Sequence, residues 1–266
     1  MQLTKHHGLG NDFLVLLDVD SDPAIRFDAG LVRTLCDRRR GIGADGLIRV
    51  GPATGEADVT MALRNADGSP AEMSGNGIRC LGQAVARARG RDTVDLAVAT
   101  GAGLRRLRVR PGPDPSTAEV EVDMGPAGPG PQLPALPALV EATKSTTVDM
   151  GNPHLVLLVD DPAAVDLATL GPACQDGFDQ GINVELVAPA PGSADTLDLL
   201  VWERGVGITR ACGTGACAAA SAAHDWGVVG KRVTVRMPGG EVEVALGATV
   251  TLSGPATYVA AIEVPG

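Results

Sequence analysis

The 266-residue sequence is poor in aromatic side chains, with three Phe, two Trp and one Tyr. Its core therefore has to be assembled from Val, Leu, Ile and Ala. No long basic run is present and the formal net charge is −10, which argues against nucleic acid or an anionic membrane surface as the main partner. The one basic triplet, Arg38-Arg39-Arg40, reads as a solvated helix end. No stretch is apolar for the length needed to cross a bilayer, and Met1-Gln-Leu-Thr-Lys-His-His7 lacks the apolar core of a secretion signal, so a cytoplasmic protein is expected. The five cysteines, Cys36, Cys80, Cys174, Cys212 and Cys217, are odd in number and form no C-x-x-C pair. That spacing speaks against a disulfide framework and against a structural zinc site. Gly41-Ile-Gly-Ala-Asp-Gly46 lacks the lysine and Ser/Thr of a phosphate-binding loop, and Lys144 and Lys231 stand in no context that suggests an imine site. No metal or cofactor is expected.

What is present is organised around Ala211-Cys-Gly-Thr-Gly-Ala-Cys217 and the alanine-rich run behind it. Alanine is the best helix former and glycine allows close backbone approach, so a buried helix is predicted to start just after Cys212. The first amides of a helix have no internal partners and carry partial positive charge, which favours a thiolate beside them and an anion before them. Standing alone, the stretch would read as a small buried cysteine at a helix start.

An echo lies upstream. Ser74-Gly-Asn-Gly-Ile-Arg-Cys80 again sets a small side chain with an ionisable or hydroxyl group before Gly-x-Gly and a helical run. Gly10-Asn11 precedes it at nearly the separation at which Gly151-Asn152 precedes Cys212. A single Gly-x-Gly is weak; the paired spacing implies a duplicated fold with two helix N-termini facing each other across a cleft. At this length two domains of ordinary size can each bury a core.

Along the chain, strands are expected at Phe13–Leu17, Leu47–Val50 and Val59–Arg64, and helices at Ala29–Arg38 and from Gly75 to near Gly90. Strands and glycine turns fill Val94–Val109, Val120–Gly125 is extended, and residues 125–137 read as a Pro/Gly/Ala-rich loop connecting the halves. In the second half, strands are expected at Leu155–Val159, Ile182–Val187, Leu197–Trp202, Val233–Met237, Val242–Leu246 and Ala248–Leu252. Leu167–Cys174 reads as helix, Gly227 as the stop of the helix after Cys212, and Tyr258–Val264 as a last strand returning to the first half. The fold class is α+β, with many strands wrapped around two central helices.

These words together resemble the diaminopimelate epimerase family. The matching segments are His7-Gly-Leu-Gly-Asn-Asp-Phe13, Gly41–Gly46, Arg64-Asn-Ala-Asp-Gly-Ser69, Gly75-Asn-Gly77, Gly151-Asn-Pro-His154, Glu203-Arg-Gly205 and Ala211–Cys217, in the family's order and over nearly the whole chain. The resemblance implies two pseudo-symmetric domains, each a curved, mostly antiparallel sheet around a central helix: residues 1–117, with 257–266 returning to them, and residues 118–256. It implies cofactor-independent inversion of the α-carbon of LL-diaminopimelate to the meso form, on the route to lysine and peptidoglycan. Cys212 would be one of two acid/base residues, with His154 and Glu203 assisting. The amides of Gly75-Asn76 and Gly213-Thr214 would hold the reacting carboxylate. Asn11, Asn65, Asn152, Asn183 and Arg204 would hold the rest of the substrate, Arg204 being suited to a carboxylate at its far end. Without the resemblance, Asn11, Asn65 and Asn152 could each serve only their own turns, and Glu203-Arg204 could be an exposed ion pair.

One position departs from the family. The partner of Cys212 there is a second cysteine, and this chain has Ser74. A serine hydroxyl is a far weaker acid than a thiol, each pKa unit costing about 1.4 kcal/mol, so Ser74 cannot rest as a ready base. A functional serine, a substitution, and a relative that binds its ligand but epimerises poorly all stay open. So do a proline or hydroxyproline epimerase on the same fold and a non-catalytic amino-acid-binding module. The oligomeric state, a homodimer included, is not fixed by the sequence.

Overall fold

The computed structural model describes residues 1–18, 26–71, 73–135 and 141–265. The chain divides into two compact units, Met1–Asp123 with Ser253–Gly266, and Met124–Leu252.

The first unit opens with β1 (Gln2–Gly8) and β2 (Asn11–Leu17), an antiparallel pair joined at Leu9-Gly10, where both residues have positive φ. Helix α1 (Ala29–Cys36) crosses over to β3 (Gly46–Gly51), which lies parallel to β2. Next come β4 (Val59–Asn65), the two-residue β5 (Pro70–Ala71) and helix α2 (Gly75–Ala88). The chain returns through β6 (Val94–Thr100), parallel to β4, and then β7 (Gly103–Pro111) and β8 (Thr117–Asp123). The final strand β17 (Val250–Glu263) pairs with β8 on one side and with β1 on the other, closing the sheet into a barrel. Helix α2 fills it, with every residue from Gly75 to Ala86 buried. Ile78 and Leu81 are fully enclosed, each such side chain contributing about 1.5–3 kcal/mol of apolar burial. A second apolar layer outside the barrel joins α1, through Val32, Leu35 and Cys36, to Leu14, Leu16 and Leu47.

The second unit repeats this plan. After the two-residue β9 (Gly128–Pro129), β10 (Lys144–Asp149) and β11 (Pro153–Leu158) form the antiparallel pair, with Gly151 at φ 90° in the turn. Helix α3 (Leu167–Gln175) crosses over to β12 (Asn183–Pro189), parallel to β11. Strands β13 (Thr196–Glu203) and β14 (Gly207–Thr209) lead into α4 (Gly213–Asp225). Then β15 (Arg232–Met237) runs parallel to β13, and β16 (Gly240–Leu246) pairs back on β15. Closure is made by the start of β17 and by the segment after Asp123: Met124 N–H donates to Val250 O at 2.8 Å, and Gly128 stands opposite Asp149. The alanines of α4 are buried from Ala216 to Ala220. Small side chains let the strands close tightly around it, where a Leu-rich helix would need a wider barrel.

Several local expectations are corrected. Strand β1 was not anticipated, because only Leu3, His6 and Gly8 along it are buried and its face alternates irregularly. Helix α1 stops at Cys36, two residues short of Arg38. The two strands expected around Gly254-Pro255 are one, β17. Proline has no N–H to withdraw from the ladder, and the Pro255 carbonyl accepts from Arg79 Nε at 3.3 Å. The stretch read as a loop over 125–137 holds β9, and its residues 136 and 137 lie outside the described residues. Arg38 is more than a solvated helix end, for it binds Asp12 at 2.6 Å and Asp45 at 2.7 Å.

Candidate active site

Ser74 is the N-cap of α2 and Cys212 the N-cap of α4, and their backbones nearly superpose in torsion: φ −140°, ψ 121° and φ −129°, ψ 116°. Each side chain accepts from the amide three residues on. Gly77 N–H reaches Ser74 Oγ at 3.0 Å, and Gly215 N–H reaches Cys212 Sγ at 3.4 Å. This explains why the third residue of both helices is glycine. A Cβ on Gly77 would lie 3.2 Å from Ser74 Cβ and 3.3 Å from Ile48 Cδ1; one on Gly215 would lie 2.7 Å from Glu185 Oε1.

Around α2, a polar chain ties the Gly-Asn turn to the helix tip. Asn76 Nδ2 donates to Asn11 Oδ1 at 3.1 Å, and Asn11 Nδ2 donates to Asp45 Oδ2 at 2.8 Å. Arg79, fully buried, donates to Asn76 Oδ1 at 2.8 Å and to Gly75 O at 3.1 Å. Asn65 ends β4, where it donates to Ser69 Oγ at 3.1 Å.

Around α4, Asn152 Nδ2 lies 3.4 Å from Thr214 Oγ1, and Thr214 Oγ1 lies 3.5 Å from Cys212 Sγ. His154, buried, sets Nε2 3.0 Å from Asn152 Oδ1 and Nδ1 2.6 Å from Glu185 Oε1. Glu203 accepts from the Thr209 hydroxyl at 2.5 Å, and its carboxyl lies close enough to Cys212 to raise the thiol electrostatically. Asn183 donates to Pro153 O at 3.0 Å and accepts from Arg204 N–H at 2.9 Å. The Arg204 guanidinium is exposed, donates to Gln180 O at 3.0 Å and makes no ion pair among the described residues.

Electrostatics at this corner overturn one expectation. The helix tip was expected to favour a Cys212 thiolate. Burial instead pushes the thiol well above its ordinary value, and the nearby carboxylates of Glu203 and Glu185 add to the rise. The Thr214 hydroxyl and the Gly215 amide pull the other way without winning. Burial likewise raises both Glu185 and Glu203. The resting sulfur is a thiol near the Glu203 carboxyl, with the Thr214 hydroxyl and the Gly215 amide placed to stabilise negative charge on it.

Within the first unit, the structure gathers Asn11, Gly75 and Asn76 with Ser74 at one helix tip, and sets Asn65 on the neighbouring strand end. Within the second it gathers Asn152, His154, Glu203, Gly213 and Thr214 with Cys212, and joins Asn183 to Arg204. The sequence reading did not single out Arg79, Glu185 or Thr209. For Glu185 a signal existed: β12 is buried on both faces, so a lone carboxylate inside Asn183-Val-Glu-Leu-Val187 demands a partner.

This fold, two barrels of like topology each enclosing a helix, is similar to that of a hydroxyproline epimerase from Agrobacterium vitis. The likeness has a TM-score of 0.75 over 98% of this chain and 91% of that one, at 18% identity. The sequence carries the assignment further. The model of the family described as diaminopimelate epimerase matches residues 3–128 and 146–259. The diaminopimelate epimerase of Cyanothece sp. is 41% identical, covering 97% of this chain and 98% of that protein. That of Microcystis aeruginosa is 40% identical, covering 96% of each. The chain belongs to the diaminopimelate epimerase family.

Proposed function

We propose that this protein interconverts LL- and meso-diaminopimelate by two-base proton transfer at the α-carbon, without a cofactor, in lysine and peptidoglycan precursor biosynthesis in the cytoplasm. The observation that carries the reading is the setting of Cys212: a buried thiol capping a helix start, with Thr214 Oγ1 at 3.5 Å, Gly215 N–H directed at the sulfur and the Glu203 carboxyl nearby. An amino-acid α-hydrogen is barely acidic, so the carbanion-like transition state needs charge stabilisation arranged in advance. The first-turn amides at Gly75-Asn76 and Gly213-Thr214 supply it at the α-carboxylate, because a helix start offers N–H groups with no partner inside the helix. Glu203 relieves Cys212 of its proton, the thiolate takes the α-proton, and His154 holds the corner in register. Asn11, Asn65, Asn152 and Asn183 orient the substrate, and Arg204 takes its distal carboxylate.

Ser74 serves the opposite face of the α-carbon. It donates more readily than it abstracts, so the two directions of reaction are unequal. The test is proton NMR in deuterated water. Wild type should exchange the α-hydrogen of one diaminopimelate isomer faster than the other. Cys212→Ala should exchange neither, and Ser74→Cys should match or exceed wild-type turnover. Turnover of 4-hydroxyproline in place of diaminopimelate would overturn the substrate assignment, and binding without any exchange would overturn the reaction.

A further inference from the structure

His154 and Glu185 form a pair that the fold itself does not require. The corresponding rungs of the first unit show this. Phe13 faces Gly46 as His154 faces Asn183, and Ile48 follows Gly46 by the two residues that separate Glu185 from Asn183. Ile48 packs against Gly77 where Glu185 packs against Gly215. The same barrel therefore closes around its helix with Phe and Ile in these places.

We infer that Glu185 is a positioning residue for Cys212, the head of a one-way chain of hydrogen-bond donors that runs through His154, Asn152 and Thr214 and ends on the sulfur. This rests on the reading of Cys212 as an acid/base residue.

The direction of the chain follows from its geometry. Asn152 turns its amide N–H toward Thr214 Oγ1, so its carbonyl oxygen faces His154 Nε2 at 3.0 Å, and Nε2 carries hydrogen. For a neutral ring Nδ1 is then the acceptor, 2.6 Å from Glu185 Oε1, and the hydrogen between them belongs to the carboxyl. The second carboxyl oxygen, Oε2, is buried with no hydrogen-bond partner among the described residues. A full carboxylate charge would be uncompensated there, whereas a neutral carboxyl giving its O–H to Nδ1 leaves one weak acceptor unused. Burial raises Glu185 in the same sense. At the far end, Thr214 Oγ1 accepts from Asn152 and has its own hydrogen free for Cys212 Sγ, 3.5 Å away. Every link donates toward sulfur, and aligned links polarise one another. The chain lowers the cost of the thiolate in a place where burial and the Glu203 carboxylate raise it.

The experiment compares Glu185→Ile, which installs the side chain of the other unit, with Glu185→Gln, whose amide N–H can still donate to Nδ1. The first readout is the rate of iodoacetamide alkylation of Cys212 against pH, with Cys212→Ala as the blank for the other four cysteines. The titratable groups at this corner are Glu203 on β13, Glu185 on β12 and His154 on β11, and each variant keeps the first and last. Glu185→Ile should move the alkylation midpoint up by about one pH unit and lower kcat about tenfold with KM little changed. Glu185→Gln should restore both. A folded Glu185→Ile with the wild-type alkylation profile overturns the proposal, as does Glu185→Gln behaving like Glu185→Ile. The alkylation arm needs no turnover, so failure of the proposed reaction would leave it readable and would appear separately.

Discussion

Around the tip of α2 the strands β2, β3 and β4 present Phe13, Ile48 and Asn65; around the tip of α4 the matching strands present His154, Glu185 and Glu203. The backbones are repeats, down to the torsions of the N-cap and the glycine three residues on, yet the side chains divide the work. The first unit has Phe13, Ile48 and Asn65 at these strand positions and braces the helix start with the buried Arg79 guanidinium, an arrangement suited to holding an anion. The second surrounds its thiol with two raised carboxyl groups and an imidazole, an arrangement suited to moving a proton. A duplicated scaffold supplies two similar helix starts, and a few side chains on the strands make their surroundings chemically different.

The comparison breaks most visibly on activity. Cys212→Ala should lower kcat/KM about a thousandfold or more, because no other group takes its proton. Glu203→Gln should lower kcat about a hundredfold with KM nearly unchanged, the loss of one general base. Asn65→Glu, which puts the second unit's residue on the first, should restore neither variant. Steady-state kinetics on both substrate isomers reads all three, and an unimpaired Glu203→Gln would remove the division of labour.

A second contrast is in stability against pH. The buried titratable group of β1 is His6, which faces Gln83 and Thr4, while Val148 holds the matching place on β10. Burial lowers His6 from 6.5 to about 4. The unfolded chain therefore binds the extra proton first. Stability from this residue is complete above pH 6.5 and falls as the pH drops toward about 4, by about 3 kcal/mol. Urea unfolding at about pH 7 and about pH 4.5 should show that loss in wild type and a much smaller one in His6→Phe. Equal slopes in both proteins would sink the assignment.

The smallest effects sharpen the packing contrast. Alanine gains about 1 kcal/mol of helix propensity over glycine. At Gly77 the new Cβ would meet Ser74 and Ile48 at 3.2–3.3 Å, so Gly77→Ala should be near neutral in thermal melts. At Gly215 it would meet Glu185 Oε1 at 2.7 Å, so Gly215→Ala should be a net loss of about 1–2 kcal/mol. Ser74→Ala should cost about 1 kcal/mol through the lost cap alone.

Much of this was legible in the residues. Both helix starts, the two Gly-Asn turns and the duplication follow from local rules of glycine, alanine and capping, since a turn or a helix tip is specified by neighbours in sequence. Strand β1 was not legible, because three buried residues in an irregular alternation give no period to detect. The continuous β17 was not legible either, because Gly254-Pro255 lies between the two runs that read as strands, Ala248–Leu252 and Tyr258–Val264.

What the sequence by itself determined is the pair of capped helix ends and the identity of the side chains on them, serine at one and cysteine at the other. What only the tertiary structure decided is the state of that cysteine. Its proton is governed by burial and by Glu185 and Glu203, which come from separate strands and meet it only through sheet register. Desolvation and charge act through space at a few ångströms, and no spacing along the chain encodes them.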